Sequence, residues 1–245
     1  MLKLELVEAV LARALKGGAD FAEVYAQRAK KRRMKVRQGA LEEALSGLDY
    51  GAGVRLFFGT EVAYAYPNGL TQEGLMEALE TLLRAKGALG KVDEGGKGGL
   101  DFRKATPKGL HAPKVPYGEK DKRYRLERLL EAEAGARIAP AIKQVEASLL
   151  EWEEEVLVAN TEGVFAEEKR VRTRLFVLAV AQDGAEVQTG YSAPGKSVGL
   201  ELFDLYPPKA VGEKAARQAL TNLKARPAPA ATFPVVVGPG FGGVL

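Results

Sequence analysis

The stretch FAEVYAQRAKKRRMKVRQGALEEALSGLDYGAGVRLFFGTEVAYAY, residues 21–66, decides the predicted fold. Charged and apolar residues alternate over 33–38, which is typical of a strand with one solvent-exposed face. Because the links between successive runs are too short for a crossover helix, we expect neighbouring strands to be antiparallel. The stretch divides into five strand-like runs, which lie at 21–29, 31–38, 42–48, 52–58 and 61–66.

Helical periodicity flanks this stretch on both sides. Leu4, Val7, Leu11 and Ala14 recur at helical spacing before it, and a second helix is predicted over about 71–86. Helices on either side of an antiparallel sheet predict an α+β unit.

The second half of the chain follows the same plan. A charged helix is predicted over about 119–135, and another over about 207–224 is opened by Pro207-Pro208. Asp183-Gly184 is a typical hairpin signal. The strands predicted between the two helices lie at 142–150, 155–160, 164–168, 170–181 and 186–191. We therefore predict an α+β chain in two parts, each an antiparallel sheet flanked by helices.

Composition marks the boundaries between the parts. Residues 87–118 are rich in Gly, Pro and Lys and lack periodicity, which is typical of a linker. A buried strand is predicted at 233–237, and the chain stops soon after it, which predicts a truncated protein with a stub of a missing C-terminal domain. The predicted parts are an N-terminal domain at 1–90, a linker at 91–118, a central domain at 119–232 and the stub at 233–245.

The amino-acid composition excludes several kinds of site from this chain. Its 245 residues include no Cys and one His, which excludes thiol catalysis, disulfides, iron–sulfur clusters and multi-histidine zinc sites. No apolar run approaches the roughly 20 residues of a membrane-spanning helix, so we expect a cytoplasmic chain. The net charge of +4 is only mildly basic. Few asparagines among many charged residues are typical of a thermophile.

Two glycine-rich stretches match nucleotide-binding patterns. Gly238-Pro-Gly-Phe-Gly-Gly243 matches G-x-G-x-x-G, but the helix and the acidic residue that a dinucleotide fold needs do not follow, so a glycine turn is favoured. Residues 190–197, GYSAPGKS, match the P-loop spacing G-x-x-x-x-G-K-[ST]. Because the preceding strand belongs to a predicted hairpin, we favour a mobile polar loop lining a groove over phosphate binding.

A basic run could bind nucleic acid. The run is Lys30-Lys31-Arg32-Arg33, continued by Lys35 and Arg37. Such a strand could contact phosphates, but no aromatic residues are interleaved with it. We favour cross-strand ion pairs with the acidic residues that follow on the predicted partner strands, Glu42, Glu43 and Asp49.

Two further candidates for chemistry are acidic residues and a histidine. Glu151, Glu153, Glu154 and Glu155 surround Trp152 at a predicted hairpin tip. Paired carboxylates could perform acid–base chemistry or bind a divalent cation, but a solvated acidic turn is favoured there. His111 lies in the proline-rich linker and is interpreted as a surface residue rather than a general base.

Three stretches of the chain together resemble the TldD/PmbA family, and its TldD branch more closely. The first is DYGAGVRLFFG at 49–59 with VAYAY at 62–66. The second is VLVANTEG at 156–163 with the Arg-rich strand at 170–181. The third and most specific comprises ALTNL at 219–223, PAP at 227–229 and FPVVVGPGFGGVL at 233–245.

The resemblance implies a zinc metallopeptidase that degrades or trims peptides, from a family long labelled modulators of DNA gyrase. In that family a His-Glu-x-x-x-His motif directly follows the Gly-Val-Leu segment, a downstream cysteine completes the zinc site, and the glutamate activates water. This sequence ends at Leu245, before the first of those ligands. The resemblance therefore assigns no catalytic, cofactor-binding or metal-binding residue to this chain, and zinc is expected only in the full-length protein.

Two hypotheses about function remain open. The favoured one is the N-terminal and central part of a TldD-like zinc metallopeptidase, inactive alone. Its implied partners are unfolded peptide and a second copy or a paralogue, with no membrane and with nucleic acid not favoured. The alternative is a non-enzymatic binding module for a partner protein or nucleic acid, acting through the basic strand 30–37 or an exposed sheet edge.

Overall fold

The computed structural model of the chain describes residues 1–67, 69, 71–87, 100–105 and 112–238. Its helices and strands confirm the predicted α+β class. In chain order the elements are α1 (Leu4–Lys16), β1 (Phe21–Arg37), β2 (Ala40–Phe58), β3 (Glu61–Ala65), α2 (Gln72–Ala85), β4 (Arg103–Ala105), a 3-10 turn (Tyr117–Glu119), α3 (Lys122–Gly135), β5 (Ile142–Asn160), β6 (Val164–Asp183), β7 (Glu186–Ser192), β8 (Gly195–Lys196), α4 (Leu202–Leu205) and α5 (Pro208–Asn222).

The strands of both halves belong to one sheet. Its order is β3-β2-β1-β5-β6-β4, and β7 and β8 also pair with β6. The pairing of β1 with β5 joins the two halves and extends from Glu23 opposite Asn160 to Arg37 opposite Glu146. The halves predicted to carry their own sheets are therefore parts of a continuous antiparallel sheet, to which β4 adds a short parallel pairing.

The strands are longer than the sequence pattern predicts. The four runs predicted within 21–58 form only two strands, β1 and β2, and the four predicted within 142–181 form β5 and β6. Charged residues do not interrupt them, because β1 is hydrogen-bonded to a neighbour on each side and its backbone groups are satisfied whatever the side chains are. The β1–β2 chain reversal is a two-residue turn at Gln38-Gly39, both with positive φ, as a tight hairpin requires.

Helices cover two separate regions of one sheet face. Alternation along β1 puts Ala22, Val24 and Ala26 on the same face as Met34 and Val36. The first three lie in a core cluster with α1 and α2, and the last two lie in a cluster with α3 and α5. Between these two helical layers, the same face of the sheet carries charged residues.

Residues 233–237 do not form the predicted buried strand. Phe233 is 56% exposed and Val236 is 94% exposed, and neither belongs to a strand. An apolar run becomes a strand only where a neighbouring strand accepts its hydrogen bonds, and Pro234 lacks one of the necessary donors.

The helices differ from membrane-spanning segments. Among the described residues, no helix combines the length and the apolar character required to cross a bilayer.

Candidate functional site

A row of cations crosses the sheet between the two helical layers. Arg28, Lys30 and Arg32 alternate along β1 on the face that carries both core clusters. β5 lies beside β1 and supplies an acidic residue opposite each cation, so Arg28, Lys30 and Arg32 face Glu155, Glu153 and Glu151 in register. Of these residues, Lys30, Arg32 and Glu151 border the candidate site.

The acidic run is therefore not a hairpin tip, and that prediction is wrong. Glu151, Glu153, Glu154 and Glu155 lie in the middle of β5, which is paired with β1 on one side and β6 on the other. Glu151 is 1% exposed and Glu154 is 7% exposed. The charge of Glu151 is compensated by Arg125 of α3 and Arg32 of β1 rather than by solvent.

Arg125 on α3 neutralises the buried carboxylate. Its Nε donates to Oε1 of Glu151 at 2.5 Å, and its Nη2 donates to Oε2 at 3.2 Å. The same guanidinium donates to the carbonyl oxygens of Tyr117 at 2.8 Å and Asp121 at 2.9 Å. Arg125 thereby fixes the 3-10 turn and the first turn of α3 against the centre of the sheet.

Tyr117 adds a buried hydroxyl group to this cluster. Its Oη lies 2.8 Å from the carbonyl oxygen of Arg172 and 2.8 Å from Oγ1 of Thr173. Burial raises the pKa of Tyr117 to about 12, and the charge of Glu151 adds to this effect, while the hydrogen bond with Thr173 opposes it. The phenol is therefore a neutral hydrogen-bonding group at physiological pH, not a base.

These residues border a groove of about 500 Å³ between β1, β2 and the start of α3. Cations outnumber carboxylates along its walls, and apolar side chains contribute to its floor. The cations are Lys30, Arg32, Arg33, Lys120, Lys122 and Arg125, and the carboxylates are Asp121 and Glu151. Such a surface is suited to binding an anionic group.

Sequence reasoning missed Arg125 and placed Glu151 at the surface, although each carries a signal of burial. Arg125 lies four residues before Leu129 and seven before Ala132, on the buried stripe of α3. Glu151 continues the alternation of Ala147 and Leu149 along β5. Two opposite charges at positions that periodicity marks as buried indicate an ion pair inside the protein.

The P-loop match lacks the structure that phosphate binding requires. Gly190 ends up in β7, where a Cβ atom would lie 2.3 Å from the carbonyl oxygen of Ala215 on α5. Gly195 and Lys196 form β8, which pairs antiparallel with β6 instead of opening a helix. Residues 191–195 border a second groove, of about 520 Å³, beside α5, which agrees with the groove-lining interpretation.

Two other candidates lie wholly or largely outside the described residues. They are His111 and the glycine motif 238–243, of which only Gly238 is described.

The basic run forms the cross-strand ion pairs predicted for it. Arg33 Nε lies 3.3 Å from Oε1 of Glu43, and Lys35 Nζ lies 2.8 Å from Oε2 of Glu42. Lys31 Nζ lies 3.9 Å from Oδ2 of Asp49. β5 adds acidic partners that the local sequence does not reveal, among them Glu146, which accepts from Arg37 at 2.7 Å.

The donor set of this chain does not fit a zinc site. In the residues that the structure describes, no three His, Cys, Asp or Glu side chains are grouped so that they could hold a metal ion. The whole sequence offers one histidine and no cysteine, whereas zinc in proteins is bound by imidazole and thiolate far more than by carboxylates alone. No metal-dependent step is assigned to these residues.

Two sequence models of a peptidase family match the chain. The PmbA/TldA metallopeptidase domain 1 matches residues 22–86. The PmbA/TldA metallopeptidase central domain matches residues 113–223. The two matches are consecutive and together account for most of the chain.

The curated relatives are about twice as long as this chain. A metalloprotease TldD homologue of Haemophilus influenzae is 30% identical over 236 residues, which cover 92% of this chain and 48% of that protein. A metalloprotease of Methanothermobacter thermautotrophicus is 26% identical over 227 residues, with the same coverage of both chains. The chain thus spans about half the length of the curated relatives it matches.

Crystal structures of the same architecture exist. A candidate modulator of a DNA gyrase from Thermotoga maritima aligns with a TM-score of 0.69 at 14% identity, covering 92% of this chain and 49% of that one. TldE from Thermococcus kodakarensis aligns with a TM-score of 0.59 at 15% identity, covering 88% and 47%. At these identities the likeness shows the fold alone.

Proposed function

The chain belongs to the PmbA/TldD metallopeptidase family, and from this we propose that it forms the N-terminal and central part of a TldD-like zinc metallopeptidase acting on peptides. The observation that carries the proposal is the consecutive match to the family's first and central domains, over 22–86 and 113–223. In this proposal the chain has no catalytic site of its own.

The side chains of this chain support a zinc site located in another part of the protein. Zinc hydrolases use three protein ligands and a bound water, with a carboxylate as general base. With one histidine and no cysteine, this chain cannot supply such a set, so the proposal places zinc and the water-activating glutamate in a further segment of the polypeptide.

The surface of the continuous sheet supports a role in binding peptides rather than in cleaving them. A charged groove lies between β1, β2 and the start of α3, and β5 contributes Leu149 and Glu151 to it. We assign to this part of the protein the guidance of unfolded peptides toward the catalytic domain, in a cytoplasmic dimer of two copies or of paralogues.

The proposal is tested by comparing this chain with the native product of the same gene in its source cells. The intact mass of that product is expected to exceed the mass of 245 residues clearly. The purified native product is expected to contain about one zinc per chain and to cleave an unfolded peptide in a chelator-sensitive way.

The matched control is the 245-residue chain alone, which is expected to bind no zinc and to leave the peptide intact. A native product without zinc would contradict the proposal, as would metal-dependent cleavage by the 245-residue chain alone.

A further inference from the structure

Arg32 is partly buried, and within the described residues its guanidinium makes no side-chain hydrogen bond. Its side chain is 25% exposed, and its Nη1 is buried without a hydrogen-bond partner in the described part of the chain. Its contacts with carboxylates are long, 3.5 Å from Nη1 to Oε2 of Glu151 and 3.6 Å from Nη2 to Oε2 of Glu153. Buried polar atoms in proteins are nearly always hydrogen-bonded, so an unpaired one calls for an explanation.

The carboxylate nearest to Arg32 is already engaged by another group. Glu151 receives two hydrogen bonds from Arg125, which lies closer to it than Arg32 does. Glu153 is 51% exposed and is not among the residues that border the groove. The guanidinium of Arg32 can therefore turn toward the groove without giving up a strong hydrogen bond.

Three lysines at the groove form no close ion pair with any residue that the structure describes. Within the described ranges, no carboxylate oxygen lies within 4.0 Å of the ammonium of Lys30, Lys120 or Lys122. All three border the same groove as Arg32. Positive charges that converge on a concave, partly desolvated surface attract anions more strongly than the same charges on a flat surface.

The groove has room for more than an ion. Its volume is about 500 Å³, and Met34, Leu45 and Leu149 contribute apolar surface beside the cations. A few placed polar groups among apolar side chains are typical of a pocket for a small ligand.

From these observations we propose that the groove binds an oxyanion, a carboxylate or phosphate group, with Arg32 as its principal contact and the three lysines as its electrostatic surround. The planar guanidinium offers paired N–H donors that match the two oxygens of such a group. The apolar floor accommodates the body of the molecule that carries the oxyanion. This site is independent of zinc and of peptide cleavage.

Binding is measured on the 245-residue chain by NMR, with inorganic phosphate and acetate as separate probes at constant ionic strength. Backbone amide shifts of Ser46, Lys122 and their neighbours at the groove are expected to change saturably. Saturation by phosphate alone identifies a phosphate site, and saturation by acetate alone identifies a carboxylate site. Saturation by both identifies a general oxyanion site.

The key variant is Arg32→Gln, and the matched control is Arg123→Gln. The control makes the same change of charge on α3, at a side chain that is 84% exposed and outside the groove. Arg32→Gln is expected to weaken binding about tenfold or more, because hydrogen bonds to charged groups contribute that much. The control is expected to titrate like the parent.

A second variant tests the proposal even if Arg32→Gln does not fold. Lys30→Gln combined with Lys122→Gln removes two positive charges that border the groove and is expected to weaken binding about threefold and to reduce its salt dependence. The proposal is overturned if neither probe saturates, or if Arg32→Gln with a native spectrum binds like the parent. It is equally overturned if the Arg123→Gln control loses as much affinity.

Discussion

At the scale of single residues, the centre of the sheet depends on a charged pair. Glu151 is among the largest fully buried side chains of the protein, and Arg125 beside it is 7% exposed. Desolvation of such a pair costs about as much as the attraction returns, so the pair fixes geometry more than it adds stability. Here it fixes the 3-10 turn and α3 on the sheet, since Arg125 also binds three backbone carbonyl oxygens.

Replacing Glu151 with Gln is expected to lower the free energy of unfolding by about 3 kcal/mol, because Arg125 would be left as an uncompensated buried charge. Urea unfolding followed by the fluorescence of Trp152 measures this. Glu153→Gln, on the same strand but half-exposed, is the control and is expected to cost less than about 1 kcal/mol. Equal losses in the two variants would contradict the assigned role of Glu151.

A second buried carboxylate fastens the segment that precedes α3. Glu201 is 7% exposed and accepts backbone hydrogen bonds from Lys114 at 2.9 Å and Val115 at 3.0 Å. Burial by itself would raise the pKa of the Glu201 carboxyl, but the backbone donors together lower it below its ordinary value. The ionised form is therefore stabilised by folding.

This lowered pKa predicts acid sensitivity with a definite sign. Because the folded pKa is below the unfolded one, the stabilisation is present above the unfolded pKa and is lost as the pH falls through the folded pKa. Glu201→Gln is expected to cost about 2 kcal/mol near neutral pH, and the difference from the parent is expected to shrink in acid. Urea unfolding of the variant and the parent, near neutral pH and in acid, measures this difference in stability. The control is Glu127→Gln, because Glu127 is half-exposed on α3. A difference that stays constant with pH would refute the assignment.

At the scale of elements, α3 and α5 approach each other through glycines. A Cβ atom on Gly212 would lie 1.9 Å from the carbonyl oxygen of Ala132, and one on Gly135 would lie 2.4 Å from that of Lys209. Both obstacles are backbone atoms, so a side chain cannot move aside to make room. The contact between these helices therefore requires the absence of a side chain at both positions.

We expect Gly212→Ala to destabilise the chain, although alanine favours helices. Overpacking at a close contact costs about 1–3 kcal/mol, which exceeds the roughly 1 kcal/mol gained in helix propensity. Thermal unfolding monitored by circular dichroism measures the change. Gly51→Ala is the control, because no atom lies within 4 Å of its added Cβ. A Gly212→Ala variant as stable as the parent would mean that the helices are not in contact as described.

At the scale of the whole molecule, the two halves of the sequence share one sheet and contribute to each other's cores. Leu157 and Phe165, from the second half, lie in the cluster with α1 and α2. Met34 and Val36, from the first half, lie in the cluster with α3 and α5. Unfolding of the sheet under one helical layer would therefore also remove residues from the core under the other layer.

This sharing predicts a single cooperative unfolding transition. Leu157→Ala is expected to cost about 2–5 kcal/mol and to shift the transitions seen by Trp152 fluorescence and far-ultraviolet circular dichroism together. The control is Leu205→Ala, because Leu205 is 54% exposed. Two separate transitions, of which only one moves, would show that the halves unfold independently.

Much of this architecture follows from local sequence. Helical spacing predicts α1, α2, α3 and α5, and Asp183-Gly184 predicts the turn between β6 and β7. These elements depend on neighbours a few residues away, so a local pattern is enough to find them. The absence of cysteine and the single histidine also limit the chemistry of the chain, whatever its fold.

Only the tertiary structure determined which residues far apart in sequence are in contact and which charges they compensate. The acidic run 151–155 lies in the middle of a strand because β5 pairs with β1, and the same pairing places Glu151 beside Arg32. Only the position of α3 supplies Arg125 and forms the groove between β1, β2 and the start of that helix. Periodicity indicates which face of a strand a side chain occupies, but burial and charge compensation depend on what covers that face. That covering is set by packing between segments far apart in the chain.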